Sequence, residues 1–156
     1  MDFSENMVEI ASIRCPQNTI IHGNIVEGIP FTNKFHGIMA FTVLMHLEQE
    51  EDLRKTLHNI YLSLEDGGYF LWFDANAKNH FESPQNSDGH GFSLQQMKQY
   101  AGEAGFSLIY NKGYCRQIPF VGNSRYLAGR VPMPLVKLIS SIFPSKSGNI
   151  LCIFKK

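Results

Sequence analysis

The sequence predicts an α/β protein with a mostly parallel sheet of about five strands and helices on both faces. Apolar runs of strand length alternate with amphipathic segments of helical period. Two of the runs, 35–41 and 69–73, are continuously apolar, which is typical of strands covered on both sides. With 156 residues, 44% of them hydrophobic, the chain can bury a core without disulfides. We therefore expect one domain over residues 1–156.

The first third of the chain predicts one helix and two strands. Ser4 precedes a pattern with apolar residues at helical spacing, and Pro16 ends it. Residues Thr19 to Val26 are rich in β-branched side chains and predict a strand. A polar turn then leads to a second strand, Phe35 to Phe41.

The clearest helix begins near Glu48, where four acidic residues crowd its first turn and favour the helix dipole. One face of it is apolar, formed by Leu53, Leu57, Ile60, Tyr61 and Leu64. Gly67-Gly68 is expected to end this helix, with one of the two glycines at positive φ. The strand Tyr69 to Phe73 follows and ends at Asp74.

The C-terminal half predicts a helix, two strands and a long connection. Ser93 and Gln96 form a capping box at the start of the helix, and Gly105 ends it. Strands at 106–111 and 149–154 complete the set of five. The segment 114–144 carries four prolines and is predicted to be an irregular lid or substrate-side insertion. The alternative is a helix packed on the sheet through Leu135, Leu138, Ile139 and Ile142.

Composition and charge exclude several classes of function. Residues 1–103 carry a net charge of −8 and residues 104–156 a net charge of +8, which suits either a basic rim over a pocket or a solvated region. Balanced total charge without a basic motif among aromatics argues against nucleic-acid binding. The three cysteines lack C-x-x-C spacing, so we expect buried thiols and no metal site. Without a signal sequence or an apolar run near ~20 residues, we expect a cytoplasmic protein with no membrane span.

Four segments, in order, resemble the class I S-adenosylmethionine-dependent methyltransferases, especially those that act on small molecules. Residues 2–7 resemble the acidic end of the family's second strand and the helix after it. Residues 22–25 with 29–31 resemble its third strand and loop. Residues 35–38 with 43–46 resemble its fourth strand and the helix that follows, and residues 64–70 resemble the turn into its fifth strand.

The resemblance implies S-adenosylmethionine as cofactor and a set of residues that bind it. A carboxylate at a strand end, here Asp2, can accept hydrogen bonds from both ribose hydroxyls. The remaining predicted contacts are to the adenine and to the methionine side of the cleft, since ligands bind outside the carboxyl ends of such strands. They are Phe3, Asn24 and Ile25 for the adenine, and Ala40 and Phe41 for the methionine side. The alternatives are a frayed terminus for Asp2 and a core role for Phe41.

His46 is the first candidate for a catalytic base, because it falls at the start of the helix that borders the cleft in this family. A structural or cofactor-side role for His46 is the alternative. His80 and His90, in the loop after the 69–73 strand, are weaker candidates.

The chain also departs from the family pattern. It has no G-x-G turn that follows a strand and opens a helix, and His36 stands where the family usually has Asp. In the family the sheet order is 3-2-1-4-5-7-6, and no segment here matches strand 1. We therefore expect residues 37–41 at a sheet edge open to a partner chain or dimer, and a chain that corresponds to the C-terminal two-thirds of the domain.

Two functions follow from the sequence. The first is a methyltransferase of small molecules, truncated and therefore inactive as this chain by itself. The second is a non-catalytic, methyltransferase-like module that uses its open strand edge to pair with another chain.

Overall fold

The computed structural model describes residues 1–31, 34–47, 49–76, 91–114 and 149–156, with the single positions 132, 134, 135, 138 and 142. The loop with His80 and His90 and most of the predicted 114–144 insertion lie outside these residues. No helix in the described part of the chain is long and apolar enough to cross a membrane.

Three α-helices form where the sequence predicts them. Helix α1 spans Glu5–Arg14, α2 spans Glu50–Ser63 and α3 spans Leu94–Glu103. Ser4 caps α1, and Ser93 and Gln96 form the predicted capping box of α3. Gly105 follows α3 with φ of 102°, the left-handed conformation expected after a helix end.

The sheet contains four strands within the described residues, in the order β1-β2-β4-β3. Their bounds are Phe35–Phe41 for β1, Leu64–Ala75 for β2, Ser107–Tyr114 for β3 and Asn149–Lys155 for β4. β1 and β2 are parallel, whereas β4 runs antiparallel to both β2 and β3. The predicted α/β fold is confirmed, whereas about five mostly parallel strands are not, since two of the three pairings in the described sheet are antiparallel. Alternation of helices and strands along a sequence does not fix the direction of the last strand.

The segment Thr19 to Val26 does not form the predicted strand. A single parallel bridge joins His22 to Asp2, through hydrogen bonds from Asp2 N to Ile21 O (3.1 Å) and from Gly23 N to Asp2 O (3.0 Å). The extended stretch then ends because residues 24–27 close into a turn, in which Glu27 N donates to Asn24 O over 3.1 Å.

One face of the sheet carries the core. Alternate side chains of β2 and β4 are fully buried there beneath α2 and α3, among them Phe70, Trp72 and Cys152. On the opposite face Met39 is 67% exposed and Phe41 56% exposed. α1 has no buried residue. Helices on both faces are thus not observed in the part of the chain that the structure describes.

β1 lies at the edge of the sheet, as predicted. Among the described residues β2 is its only ladder partner. The order β1-β2-β4-β3 reproduces the 4-5-7-6 portion of the expected sheet, with the Asp2–His22 bridge standing apart from it.

Gly67 has φ of 81°, so one glycine of the pair does adopt a positive φ. It does not end the preceding helix, however, and that part of the prediction is wrong. α2 ends at Ser63, and its cap Leu64 is already extended (φ −87°, ψ 145°). The glycines lie instead in an irregular first section of β2, where the pairing shifts from Phe35–Leu64 to Gly37–Tyr69.

Candidate functional site

A cavity of about 930 Å³ lies between the N-terminal segment and the edge strand β1. Its first wall comes from the two stretches joined by the Asp2–His22 bridge, and its second from β1 and the residues that follow it. The volume falls within the range of natural small-ligand sites. The lining includes five of the six predicted cofactor contacts and the predicted base: Asp2, Phe3, Asn24, Ile25, Ala40 and His46.

Four consecutive residues of β1, 37–40, line the cavity. Successive side chains of a strand point to opposite faces of the sheet, so a cavity that meets all four runs along the edge of the strand. That edge bears the backbone N–H and C=O groups that β2 does not pair. The wall that β1 forms therefore includes peptide groups of this strand edge.

Asp2 is held at the cavity by its backbone. Its N–H and C=O both pair with residues 21–23, and its Oδ1 accepts a hydrogen bond from Ser4 N over 2.9 Å. Oδ2 has no hydrogen-bond donor among the described residues and can accept from a ligand hydroxyl. His22 Nε2 lies 2.8 Å from Phe3 O, and this contact holds the residue next to Asp2 in place. Phe3 itself is 74% exposed.

The predicted adenine contacts lie on the 24–27 turn. Asn24 Oδ1 accepts from Val26 N over 3.0 Å and Asn24 Nδ2 donates to Glu27 Oε1 over 3.4 Å, so this side chain is used within the turn. Asn59 of α2 donates from Nδ2 to both Ile25 O and Val26 O, each over 3.0 Å. The turn is thereby tied to the helix.

Ala40 and Phe41, adjacent in sequence, lie on opposite faces of the sheet. Ala40 is 2% exposed and lines the cavity. Phe41 does not line it; its ring stacks on Phe73 with centroids 4.5 Å apart and planes 13° apart. Thr42 comes next, has φ of 55° and reaches the cavity instead.

His46 lies on the cavity wall at the end of a 3₁₀ turn, Leu44–His46. Leu44, the first residue of this turn, is fully buried in the core. Met45 N donates to Asp74 Oδ2 over 3.0 Å, so the end of β2 holds the turn from the core side.

Asp74 is fully buried, and the indole Nε1–H of Trp72 donates to the same Oδ2 over 3.0 Å. Oδ1 forms no hydrogen bond with any described residue. Burial raises the pKa of Asp74 to about 6, and the hydrogen bonds from Trp72 and Met45, the backbone amide of Ala75 and the electrostatic interaction with His46 oppose that rise only in part.

Within the described part of the chain, the side chains that line the cavity include two acidic ones, Asp2 and Asp52, and neither Lys nor Arg. Such a lining favours a cationic ligand. No group of three or more His, Cys, Asp or Glu residues suited to a metal ion occurs among the described residues.

Sequence reasoning missed several lining residues, among which the polar ones are Ser4, Thr19, Thr42, Gln49 and Asp52. Asp52 was attributed to the helix dipole, and the sequence holds no signal that it also borders a cavity. Asp74 had a visible signal, because a single carboxylate ends an otherwise apolar strand.

Comparison with known proteins adds two findings. Residues 1–72 match the family model described as a methyltransferase domain. No protein in the curated set matches the sequence.

Solved structures share the fold at low sequence identity. An S-adenosylmethionine-dependent methyltransferase from Clostridium acetobutylicum has a TM-score of 0.67 and 10% identity, over 98% of this chain and 72% of its own. The N-methyltransferase NodS from Bradyrhizobium japonicum, crystallised with S-adenosyl-L-homocysteine, has a TM-score of 0.65 and 14% identity, over 99% and 64%. The [4+2]-cyclase SpnF has a TM-score of 0.67 and 12% identity, over 99% and 63%.

At such identities the structural likeness establishes the fold alone, and the family match covers the segments on which the resemblance was based. Together they confirm the predicted resemblance of this chain to the class I S-adenosylmethionine-dependent methyltransferases.

Proposed function

We propose that this chain belongs to an S-adenosylmethionine-dependent methyltransferase that acts on a small molecule. The family match and the neighbours indicate S-adenosylmethionine as the cofactor. The observation that carries the proposal is that one cavity gathers Asp2, the 24–27 turn, Ala40 and His46, four parts of the sequence that the resemblance assigned to a single site.

The residues present fit the adenosine part of this cofactor. Asp2 Oδ2 is free within the described residues to accept a ribose hydroxyl. The backbone N–H of Ile25 has no partner among the described residues and can donate a hydrogen bond to the adenine edge. Phe3 offers an exposed ring to the adenine. Because the Asn24 side chain is occupied within its turn, we assign adenine recognition to the backbone of this turn.

When bound, the cofactor would supply an electrophilic methyl group on a sulfonium; transfer of that methyl to the lone pair of an acceptor breaks the S–CH3 bond and releases S-adenosylhomocysteine. His46, in its neutral form, accepts the proton that the acceptor loses. Asp2 and Asp52 favour the positive charge of the ligand, and Ala40 keeps the strand end free of bulk. These roles are orientation, electrostatics and proton transfer.

The test is a titration of the ¹⁵N-labelled chain with S-adenosylhomocysteine up to millimolar concentration. We expect amide shifts confined to residues 2–4, 23–26 and 37–43, weakened by Asp2→Asn and unchanged by Asp66→Asn, a fully exposed carboxyl away from the cavity. Shifts scattered over the surface, or concentrated on residues outside the cavity lining, would refute the site. Label transfer from [methyl-³H]-S-adenosylmethionine into a low-molecular-mass extract then tests the reaction.

A second function is favoured by one observation, the edge of β1 that no described strand covers. A non-catalytic module would use this edge to add a strand from another chain. Its test is light scattering of the purified chain, together with the titration above. A stable oligomer that fails to respond to S-adenosylhomocysteine favours the module over the enzyme.

A further inference from the structure

Asp74 is the one fully buried carboxyl among the described residues, and the proposed reaction does not use it. Its carboxyl has no exposed surface and stands at the carboxyl end of β2, the end at which the cavity lies. The hydrogen bonds from Met45 N and from Trp72 Nε1 converge on one oxygen, Oδ2.

The two donors come from different elements. Trp72 belongs to the same strand, two residues earlier, and orients the carboxyl within the sheet. Met45 belongs to the Leu44–His46 turn, so its bond to Asp74 links the turn to β2. Gly91 N donates to Met45 O over 3.2 Å and holds the turn from another direction. Asp74 is thus the side chain through which β2 holds the residue before His46.

We propose that Asp74 is a positioning residue for His46, whose ionised carboxyl holds the Leu44–His46 turn against the end of β2 and whose uptake of a proton weakens that hold. The proposal depends on the proposed function only in giving His46 a part in proton transfer. The hold itself is a property of the protein without ligand.

The physical basis is the change in acceptor strength. A carboxylate accepts a shorter and stronger hydrogen bond than a neutral carboxyl group does. The groups that face Asp74 are the Trp72 indole and the Ala75 amide from β2, and the Met45 amide and His46 side chain from the turn. Of these, within the described part of the chain, His46 alone is titratable. Since the pKa of Asp74 is about 6, we expect the hydrogen bond from Met45 N to Asp74 to weaken in the mildly acidic range.

Trp72 gives a direct readout, because it is the single tryptophan of the sequence. Its indole Nε1–H produces one signal in a ¹H–¹⁵N spectrum, and that proton is bonded to Asp74. We expect this signal to shift with pH with a midpoint near 6, and the shift to vanish in Asp74→Asn. An indole signal that does not respond between about pH 4.5 and about pH 7.5 overturns the proposal.

Amide exchange at Met45 then tests the hold. In the wild-type chain the protection factor of Met45 N–H, corrected for intrinsic exchange, should fall about fivefold to tenfold as pH drops through the same midpoint. Asp74→Asn should show the lower value at every pH, and the control Asp66→Asn should behave as wild type. A wild-type protection factor that stays constant through the transition refutes the proposal even if the variant does not fold.

Neither measurement uses cofactor or acceptor. If the indole and Met45 respond as expected but S-adenosylhomocysteine fails to bind, the positioning role stands and the proposed function falls. If S-adenosylhomocysteine binds while the protection of Met45 does not change with pH, the proposed function stands and the positioning role falls.

Discussion

The Trp72 indole and the Asp74 carboxyl, two residues apart on the buried face of β2, are joined by a 3.0 Å hydrogen bond with no solvent access. A carboxylate at such a position is costly to ionise. This pair therefore makes the stability of the protein depend on pH in a direction that can be stated in advance.

The folded-state pKa of Asp74 is raised from 3.8 to about 6. Its contribution to stability is therefore fully present below the lower value and is lost as pH rises through the upper one. Relative to Asp74→Asn, the wild-type free energy of unfolding should decline by about 2 kcal/mol between about pH 4 and about pH 7. Urea unfolding of both proteins, followed by Trp72 fluorescence, measures these free energies. A difference between wild type and variant that does not change with pH would contradict this prediction.

Substitution of three glycines by alanine should give graded effects. Gly67→Ala should cost about 1 kcal/mol because its φ is 81°. Gly68→Ala should cost more, since the added Cβ would lie 2.9 Å from Glu65 O and 3.2 Å from His36 O. Gly102→Ala, in helix α3 with open space around it, should stabilise by about 0.5 to 1 kcal/mol. Thermal denaturation gives the ranking, and equal losses at all three positions would contradict it.

Asn59→Ala removes the donor that two carbonyls of the 24–27 turn share. We expect a loss of about 1 to 2 kcal/mol in unfolding free energy. Faster amide exchange should appear at residues 24–27 and not in the sheet. The matched control is Asn18→Ala, an exposed asparagine outside the cavity lining, which should cost little. Unchanged exchange in the turn would show that Asn59 does not support it.

The 156-residue chain should bind S-adenosylmethionine with a dissociation constant in the millimolar range or weaker. Its sequence offers contacts to the adenosine but no Gly-rich turn for the methionine end. A few missing hydrogen bonds to a charged ligand, at about 1.5 to 3 kcal/mol each, turn a micromolar site into a millimolar one. Isothermal titration calorimetry decides the point. Low-micromolar binding would mean that another segment supplies those contacts.

Helices were predicted well because their signals are local. The Ser4 cap, the Ser93–Gln96 capping box and the apolar face of α2 are each read within a few residues of sequence. The same holds for the positive φ at Gly67, although not for its place in β2.

Strand direction and pairing were predicted less well because they depend on distant segments. Nothing within 149–155 shows that β4 enters the sheet antiparallel to β2 and β3. Likewise Thr19 to Val26 has strand composition, but a strand needs a neighbour, and here one rung with Asp2 is all that forms among the described residues.

The seven residues predicted for the site, six cofactor contacts and His46, came from the order of the motifs along the sequence. Six of these seven line one cavity. The exception, Phe41, follows from the two-residue period of a strand, since its neighbour Ala40 already takes the buried face. Asp74 was missed as a structural element of the site because its partners, Met45 and Trp72, are revealed by the fold alone.

The edge of β1 along the cavity has an evolutionary consequence. Its peptide groups are presented whatever side chains occupy residues 37–40, because every residue carries a backbone C=O and every residue but proline a backbone N–H. A ligand that pairs with this edge would be recognised without any sequence signature. Substitutions there that avoid proline and still fit the core around Ala40 leave these groups in place, so a family using such an edge would keep its recognition chemistry while its sequences diverge.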